Sequence, residues 1–187
     1  MRIISGIHKG RKIFSPRNLP VRPTTDKARE GLFNILQNKI DMSLINVLDL
    51  FSGTGIISFE FSSRGVKKII SVDNNYKCIK HIKKTSDSLN LNIKTIRNEV
   101  ILYLKNPNQK FNIIFADPPY DWKLDYYRIM INLIFDNKWL LPDGILIVEH
   151  SKKTKLDAIF QSYFSRSYGE NNFSFYKKKQ AYKPDSV

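Results

Sequence analysis

The sequence predicts an α/β fold built on a mostly parallel sheet. Three observations point there: short apolar strands alternate with helical segments from residue 44 onward, a glycine-rich turn follows the first of those strands, and the C-terminal stretch reads as a hairpin. Strands that recur with helices between them imply a parallel sheet covered on both faces. The 187 residues suit one well-packed domain with a small appendage, and a content of 42% hydrophobic and 12% aromatic residues supplies a core.

In chain order, Arg2-Ile3-Ile4-Ser5 and Lys12-Ile13-Phe14-Ser15 read as two short strands around a basic turn containing Gly10. Pro16, Pro20 and Pro23 keep the next stretch extended, after which Ala28, Leu32, Ile35, Leu36 and Ile40 mark the apolar stripe of a helix. This unit of residues 1–40 is read as the appendage, and residues 41–187 as the main domain. Leu44 to Phe51 and Lys68 to Asp73 predict buried strands, with a helix from Tyr76 to Leu89 after the second. Ile93 to Ile96, Phe111 to Ala116 and Ile145 to Glu149 supply three more strands. Tyr163 to Tyr168 and Phe173 to Lys177, around Gly169-Glu170-Asn171, predict a hairpin, so the sheet should end in antiparallel pairing.

The formal net charge of +14 implies a polyanionic partner, RNA or DNA before an anionic membrane. The competing reading is codon bias, since Lys, Asn and Ile are abundant together. Distribution favours the first: residues 1–39 hold nine Lys and Arg against two acids, a net +7, and five of the nine are Arg, the better bidentate phosphate ligand. Cys78 is the single cysteine, which excludes an intramolecular disulfide and fits a reducing compartment. The N-terminus lacks an apolar signal region, and the greasiest stretch, Tyr126 to Phe135, is short and interrupted by Arg128 and Asn132. A cytoplasmic protein with no membrane partner is expected.

Two motifs carry chemistry. The first predicted sheet strand, Val47 to Phe51, runs into Ser52-Gly53-Thr54-Gly55, and glycines there let the backbone turn sharply and approach a ligand at the sheet's carboxyl edge. Asp73 follows Gly53 by twenty residues, the spacing at which an acid reaches the ribose of an adenosine cofactor. NAD enzymes use the same device, but Ser58 occupies the place of their third glycine. S-adenosylmethionine, which lacks a pyrophosphate, does not demand one.

The fourth sheet strand delivers Asp117-Pro118-Pro119-Tyr120 to the same edge. Two prolines stiffen the loop and remove two N–H donors, leaving carbonyls to face a ligand. A purine amino nitrogen is a poor nucleophile because its lone pair is delocalised into the ring. Acceptors at Asp117 and the Pro118 carbonyl would draw its two N–H bonds into pyramidal geometry and return the lone pair to nitrogen. Tyr120 would offer a stacking face for the base. By itself the motif leaves guanine and adenine open.

These residues resemble the amino-methyltransferases of the Rossmann-like S-adenosylmethionine superfamily, which carry [DN]-P-P-[YFW] after the fourth strand. The run Arg22-Pro23-Thr24-Thr25-Asp26-Lys27-Ala28-Arg29-Glu30-Gly31-Leu32-Phe33-Asn34 narrows the likeness to the RsmD family of bacterial 16S rRNA guanine-N2 methyltransferases. The basic opening Arg2 to Gly6 with Gly10-Arg11-Lys12, the turn Phe51 to Gly55, Asp117 to Tyr120, and Glu149 after the fifth strand extend it over nearly the whole chain.

The resemblance implies seven strands with an antiparallel last strand, an N-terminal hairpin on rRNA, and methyl transfer to N2 of guanine 966 in the 30S particle. It assigns Asp49, Phe51, Ser52, Gly53, Thr54, Gly55, Asp73, Asn74 and Asp117 to S-adenosylmethionine, with Asn98 or Glu99 at its adenine. Asp117, Pro118, Pro119 and Tyr120 would be catalytic, and Arg11, Arg22, Thr24, Arg29 and Tyr120 would meet the substrate. A monomer without a metal is expected. Asn75 departs from the pattern, standing where the family usually has a second acid.

Two other readings remain: an adenine-N6 methyltransferase acting on DNA or RNA, and a non-catalytic RNA-binding assembly factor. Only about forty residues precede the main domain, too few for a duplex-DNA reading module, which favours a base already exposed in folded RNA. His8, His81 and His150 lack metal-ligand spacing, and Cys78 should pack with Ile82. Lys77, Lys80, Lys83 and Lys84 read as a solvated helix face, and Lys177, Lys178 and Lys179 as an exposed strand end.

Overall fold

The computed structural model describes residues 1–14 and 24–178. Ser15, the proline-rich stretch with Arg22, and Lys179 lie outside the described residues. The first helix, α1 (Asp26–Gln37), begins where Thr25 caps it by accepting the Ala28 N–H at 3.2 Å. The main domain then alternates: β1 (Asn46–Leu50), α2 (Ile56–Ser63), β2 (Lys68–Asp73), α3 (Tyr76–Ser88), β3 (Ile93–Arg97), α4 (Val100–Leu104), β4 (Phe111–Ala116), α5 (Leu124–Asp136) and β5 (Leu140–Ser151). A closing hairpin, β6 (Phe164–Tyr168) and β7 (Asn171–Lys177), completes it.

The seven strands lie in the order β3-β2-β1-β4-β5-β7-β6. All pairings among β1 to β5 are parallel, and β7 runs antiparallel between β5 and β6. This is the Rossmann-like methyltransferase sheet expected from the sequence. The chain proceeds outward from β1 through β2 to β3, returns to β4 on the other side of β1, and continues to β5. Adjacent β1 and β4 therefore form the switch point, where loops diverge and leave a crevice beyond the strand ends.

Successive strand residues feed two cores. Val47, Ile113, Phe115, Ile145 and Ile147 pack under α1, α2 and α3, while Leu48, Leu50, Ile114, Leu146 and Val148 pack against α4 and α5. Both faces are buried, so these strands read as continuous apolar runs rather than alternating ones.

Three elements differ from expectation. The N-terminal strands reduce to one bridge, Arg2 with Lys12. The loop between them turns its donors elsewhere: the Ile7 N–H donates to the Ser63 carbonyl at 2.8 Å and the His8 N–H to Ser63 Oγ at 3.0 Å. Gly6 permits this approach, with φ +86° and a Cβ position that would fall 1.8 Å from the Ser63 oxygen. The helix predicted to reach Ile40 stops at Gln37. Finally, β5 begins at Leu140, five residues early, because a register shift against β4 between Phe111 and Ile113 absorbs the turn-like Pro142-Asp143-Gly144.

The N-terminal unit shares the main core. Ile3 and Ile13 belong to the same apolar cluster as Val47 and Phe59. Its polar anchor is Glu60 on α2, fully buried, which accepts the Ile4 N–H at 2.8 Å, pairs with Arg64, and lies 3.5 Å from Arg29 Nε. One carboxylate thus pairs with two buried guanidinium groups, Arg29 taking Asp26 as a second partner, and ties three elements together. Removing one partner of a buried ion pair costs about 3–5 kcal/mol. Glu60→Gln should lower unfolding stability by that order in urea titrations, and a loss below about 1 kcal/mol would contradict the anchoring role.

Candidate active site

The turn after β1 is held open by hydrogen bonds to the end of β2. Ser52 N–H donates to the Val72 carbonyl at 3.0 Å, Gly53 N–H donates to Asp73 Oδ2 at 2.8 Å, and Gly55 N–H closes the turn on the Ser52 carbonyl at 2.7 Å. Gly55, at φ +77°, begins α2 in a left-handed conformation that a side chain would strain. Phe51 adopts φ +57°, uncommon for a bulky residue, and its ring meets Trp122 edge-on at 5.0 Å.

Asp49 lies behind this turn, 1% exposed, and accepts the Ser58 hydroxyl at 2.5 Å, with Ser71 Oγ 2.7 Å from Ser58. The residue that replaces a dinucleotide-fingerprint glycine is therefore the one that orients Asp49. Burial pushes the Asp49 carboxyl up to about 7, against the Ser58 hydrogen bond that lowers it. Asp117, at the end of β4, is also pushed well above the carboxylate range, by burial first, then by the charges of Glu149 and Asp49.

Beneath Asp117 runs a polar chain. Tyr120 Oη donates to Asn171 Oδ1 at 3.0 Å, Asn171 Nδ2 donates to Glu149 Oε1 at 2.5 Å, and Thr24 Oγ1 donates to Glu149 Oε2 at 2.8 Å. Glu149 and Asn171 come from β5 and β7, so the antiparallel insertion supplies part of the site. Two donors meet the Glu149 carboxylate, whose charge is, after burial, the second cause that raises Asp117.

These groups surround a cavity of about 430 Å³ at the switch point, within the range of small-molecule sites. Its walls include Asp49, Phe51, Ser52, Gly53, Thr54, Asp73, Asn74, Glu99 and Asp117, together with Pro118, Pro119, Tyr120 and Thr24. Four carboxylates line it, and no Lys, Arg or His does among the described residues. Such a cavity disfavours an anionic pyrophosphate and favours a cationic ligand.

Between the two candidates for the adenine, Glu99 lines the cavity, with its carboxylate capping α4 on the Ile101 and Leu102 N–H groups at 3.0 and 2.8 Å. Asn98 is not among the lining residues. Asn75, at the departure from the family pattern, caps α3 by accepting the Lys77 N–H at 2.9 Å.

Arg29 departs from the substrate role expected of it. It is fully buried, donating to the Thr24 carbonyl at 2.9 Å, to the Arg2 carbonyl at 2.9 Å and to Asp26 at 2.9 Å. On α1 it faces inward beside Glu60, so it fixes Thr24 instead of meeting a ligand. Arg11 lies away from the cavity, in a second groove beside α3.

Sequence reasoning missed Asn171 and Trp122, whose roles depend on strand order and on a turn of chain after the motif. It placed Cys78 in the core, where Cys78 is indeed buried with Ile82, but the sulfur also borders the cavity, its thiol pushed up to about 12 by burial and Asp73. His150 bonds to Ser174 Oγ at 2.9 Å, and no group of three or more His, Cys, Asp or Glu is arranged for a metal among the described residues. No helix among them is long and apolar enough to cross a membrane.

Residues 1–177 match the protein family described as Conserved hypothetical protein 95. The chain is 35% identical to Ribosomal RNA small subunit methyltransferase D of Buchnera aphidicola subsp. Acyrthosiphon pisum, over 95% of this chain and 86% of that protein. The chain belongs to the RsmD family. Likeness to Putative rRNA methyltransferase YlbH of Bacillus subtilis is 33% over 96% of this chain and 100% of the relative. The solved structure of the putative methyltransferase yhhF from Escherichia coli superposes with a TM-score of 0.81 at 28% identity, covering 95% of this chain and 97% of that one. In this RsmD-family chain the match spans both the N-terminal unit and the whole sheet.

Because Asp49 holds its proton more tightly folded than unfolded, the native state binds the extra proton between about pH 4 and 7, and stability from this group falls as pH rises through that window. Asp49→Asn should therefore raise the melting temperature at pH 8 relative to the parent by at least about 2 °C more than at pH 5. Equal shifts at both pH values would contradict the raised pKa.

Proposed function

We propose that this protein methylates the exocyclic N2 amino group of a guanine in 16S rRNA, at position 966, with S-adenosylmethionine as donor. The observation that carries the reading is the cavity at the β1–β4 switch point, lined by carboxylates without a cation among the described residues and floored by Asp117-Pro118-Pro119-Tyr120. It suits a donor whose sulfonium and ammonium are positive and whose adenosine needs no pyrophosphate cradle. The residues present fit this group: the Phe51 to Gly55 turn and Asp49 for its methionine end, Asp73 and Asn74 for the ribose, Glu99 near the adenine. When bound, S-adenosylmethionine supplies an electrophilic methyl group.

The chain's own residues do the rest. Asp117 and the Pro118 carbonyl accept the two N–H bonds of the target amine, holding its lone pair toward the cavity. The raised pKa of Asp117 makes it a competent acceptor of the proton that the alkylated nitrogen sheds. Tyr120 stacks on the base, its ring fixed through Asn171 and Glu149. The division of labour follows the chain: residues 1–40 grip RNA and border the site, and residues 41–187 carry the methyl-transfer machinery.

Methylation of purified small-subunit particles with labelled donor, followed by nucleoside analysis, should yield N2-methylguanosine; N6-methyladenosine as the labelled product would overturn the choice of base. Asp117→Ala should reduce turnover at least about 100-fold while donor affinity stays within a few-fold, checked by single-turnover rates and calorimetry. The sign of the pH effect is set by Asp117, which must be ionised to accept the amine, so kcat/KM should rise with pH through its raised pKa. Glu149→Gln removes a neighbouring negative charge, lowers the Asp117 pKa and should move that rise to lower pH. An unmoved or upward-shifted profile would contradict the coupling.

A further inference from the structure

The four lysines of α3 read from sequence as one solvated face, but the fold divides them. Lys83 pairs with Asp87 at 3.3 Å. Lys77, Lys80 and Lys84 stand instead along one wall of a second groove, of about 1250 Å³, whose other wall is the N-terminal loop of residues 7–14. That loop adds Lys9, Arg11 and Lys12, making six cations with no carboxylate among the lining residues. None of the six forms an ion pair with a carboxylate among the described residues. The spacing i, i+3 and i+7 sets the three lysines on one stripe, roughly 10 Å from end to end.

We propose that this groove binds the phosphate backbone of the substrate RNA strand beside the target base, with α3 as a phosphate-contact element equal in weight to the N-terminal loop. The reading rests on the proposed RNA methyltransferase activity and adds to it the path of the strand.

Four features support it. Charge is complementary and concentrated, and like charges brought together without acids are costly unless a polyanion offsets them. Apolar contacts are interleaved: Phe14 and Ile7 line the groove at 82% and 80% exposure, placed to stack against or pack on an unpaired base. The groove is also preformed, since the loop is pinned to α2 through Glu60 and Ser63. Position completes the case, because α3 is the partition between the two sites: Asn75 and Cys78 face the cavity, while Lys77, Lys80 and Lys84 face the groove. A strand lying along α3 therefore approaches the cavity from its Asp73–Cys78 side.

The test uses the full chain, a fluorescein-labelled single-stranded RNA of about ten nucleotides, and salt titrations from roughly 50 to 250 mM, a range over which backbone contacts lose affinity steeply. The triple variant Lys77→Ala/Lys80→Ala/Lys84→Ala should weaken binding by about tenfold or more and flatten the slope of log K against log salt by roughly two, since each phosphate contact on a single strand contributes about 0.7. Lys83→Ala should leave both within twofold, and Phe14→Ala should lower affinity with the slope unchanged. Donor binding by calorimetry and the melting temperature should match the parent in every variant. A triple variant with parental affinity and slope would overturn the proposal, as would a parent that does not bind the RNA. Failure of the groove and failure of the enzymatic reading are separable: labelled guanosine from a triple variant with parental RNA affinity sinks only the groove, and salt-dependent RNA binding without any labelled nucleoside sinks only the methyltransferase assignment.

Discussion

The parallel pairing of β1 with β4 is the constraint on which the candidate site depends. Because the chain winds outward from β1 in one direction and from β4 in the other, the loops that leave these two neighbouring strands cannot cover one another. The crevice that results receives the Phe51 to Gly55 turn from one side and Asp117 to Tyr120 from the other. Neither loop makes a site alone: one is a glycine turn with a buried acid behind it, the other a rigid set of acceptors.

Charge is segregated around that crevice. Inside are carboxylates held in a poorly solvated space, two of which keep protons at a higher pH than an exposed acid does. Outside, in the groove between α3 and the N-terminal loop, five lysines and one arginine gather with no acid among the lining residues. A positive ligand is favoured within and a polyanion without, and a single helix separates the two environments. The net charge of +14 hides this arrangement, because a sum over the chain carries no information on where each sign is placed.

Two buried acids show how the parts are joined. Glu60 fastens the N-terminal loop and α1 to α2, so the outer groove has a fixed wall. Glu149 joins Thr24, Asn171 and, through Asn171, Tyr120, so the residue that enters from the N-terminal unit and the residue that would stack on the base share one polar chain. Arg29 connects the two systems, contacting Glu60 with one edge and the Thr24 carbonyl with another. Its conversion from an expected substrate contact to an internal tie follows from the inward face of α1, on which Ala28, Leu32 and Leu36 are also buried.

Strand and helix periodicity, the glycine turn, the spacing to Asp73 and the Asp-Pro-Pro-Tyr loop were readable from the chain because each is a local pattern, set by backbone sterics and side-chain alternation within a few residues. The strand order could be expected only through family resemblance, and the polar chain through Glu149 and Asn171 was not readable, since its members lie on strands that meet by antiparallel insertion. The N-terminal hairpin was over-read as two strands because the Ile4 N–H donates to Glu60 and the Ser5 carbonyl accepts from the Ser63 hydroxyl, contacts 56 and 58 residues away in sequence. Lysines 77, 80 and 84 look identical to Lys83 in sequence; only the packing of a distant loop against α3 separates a groove wall from a solvated face. The sequence by itself determined which groups are present and the local backbone that carries them. The tertiary structure decided which of those groups share a low-dielectric space, and with it their charge state, because desolvation and Coulomb coupling depend on distance through space and not on separation along the chain.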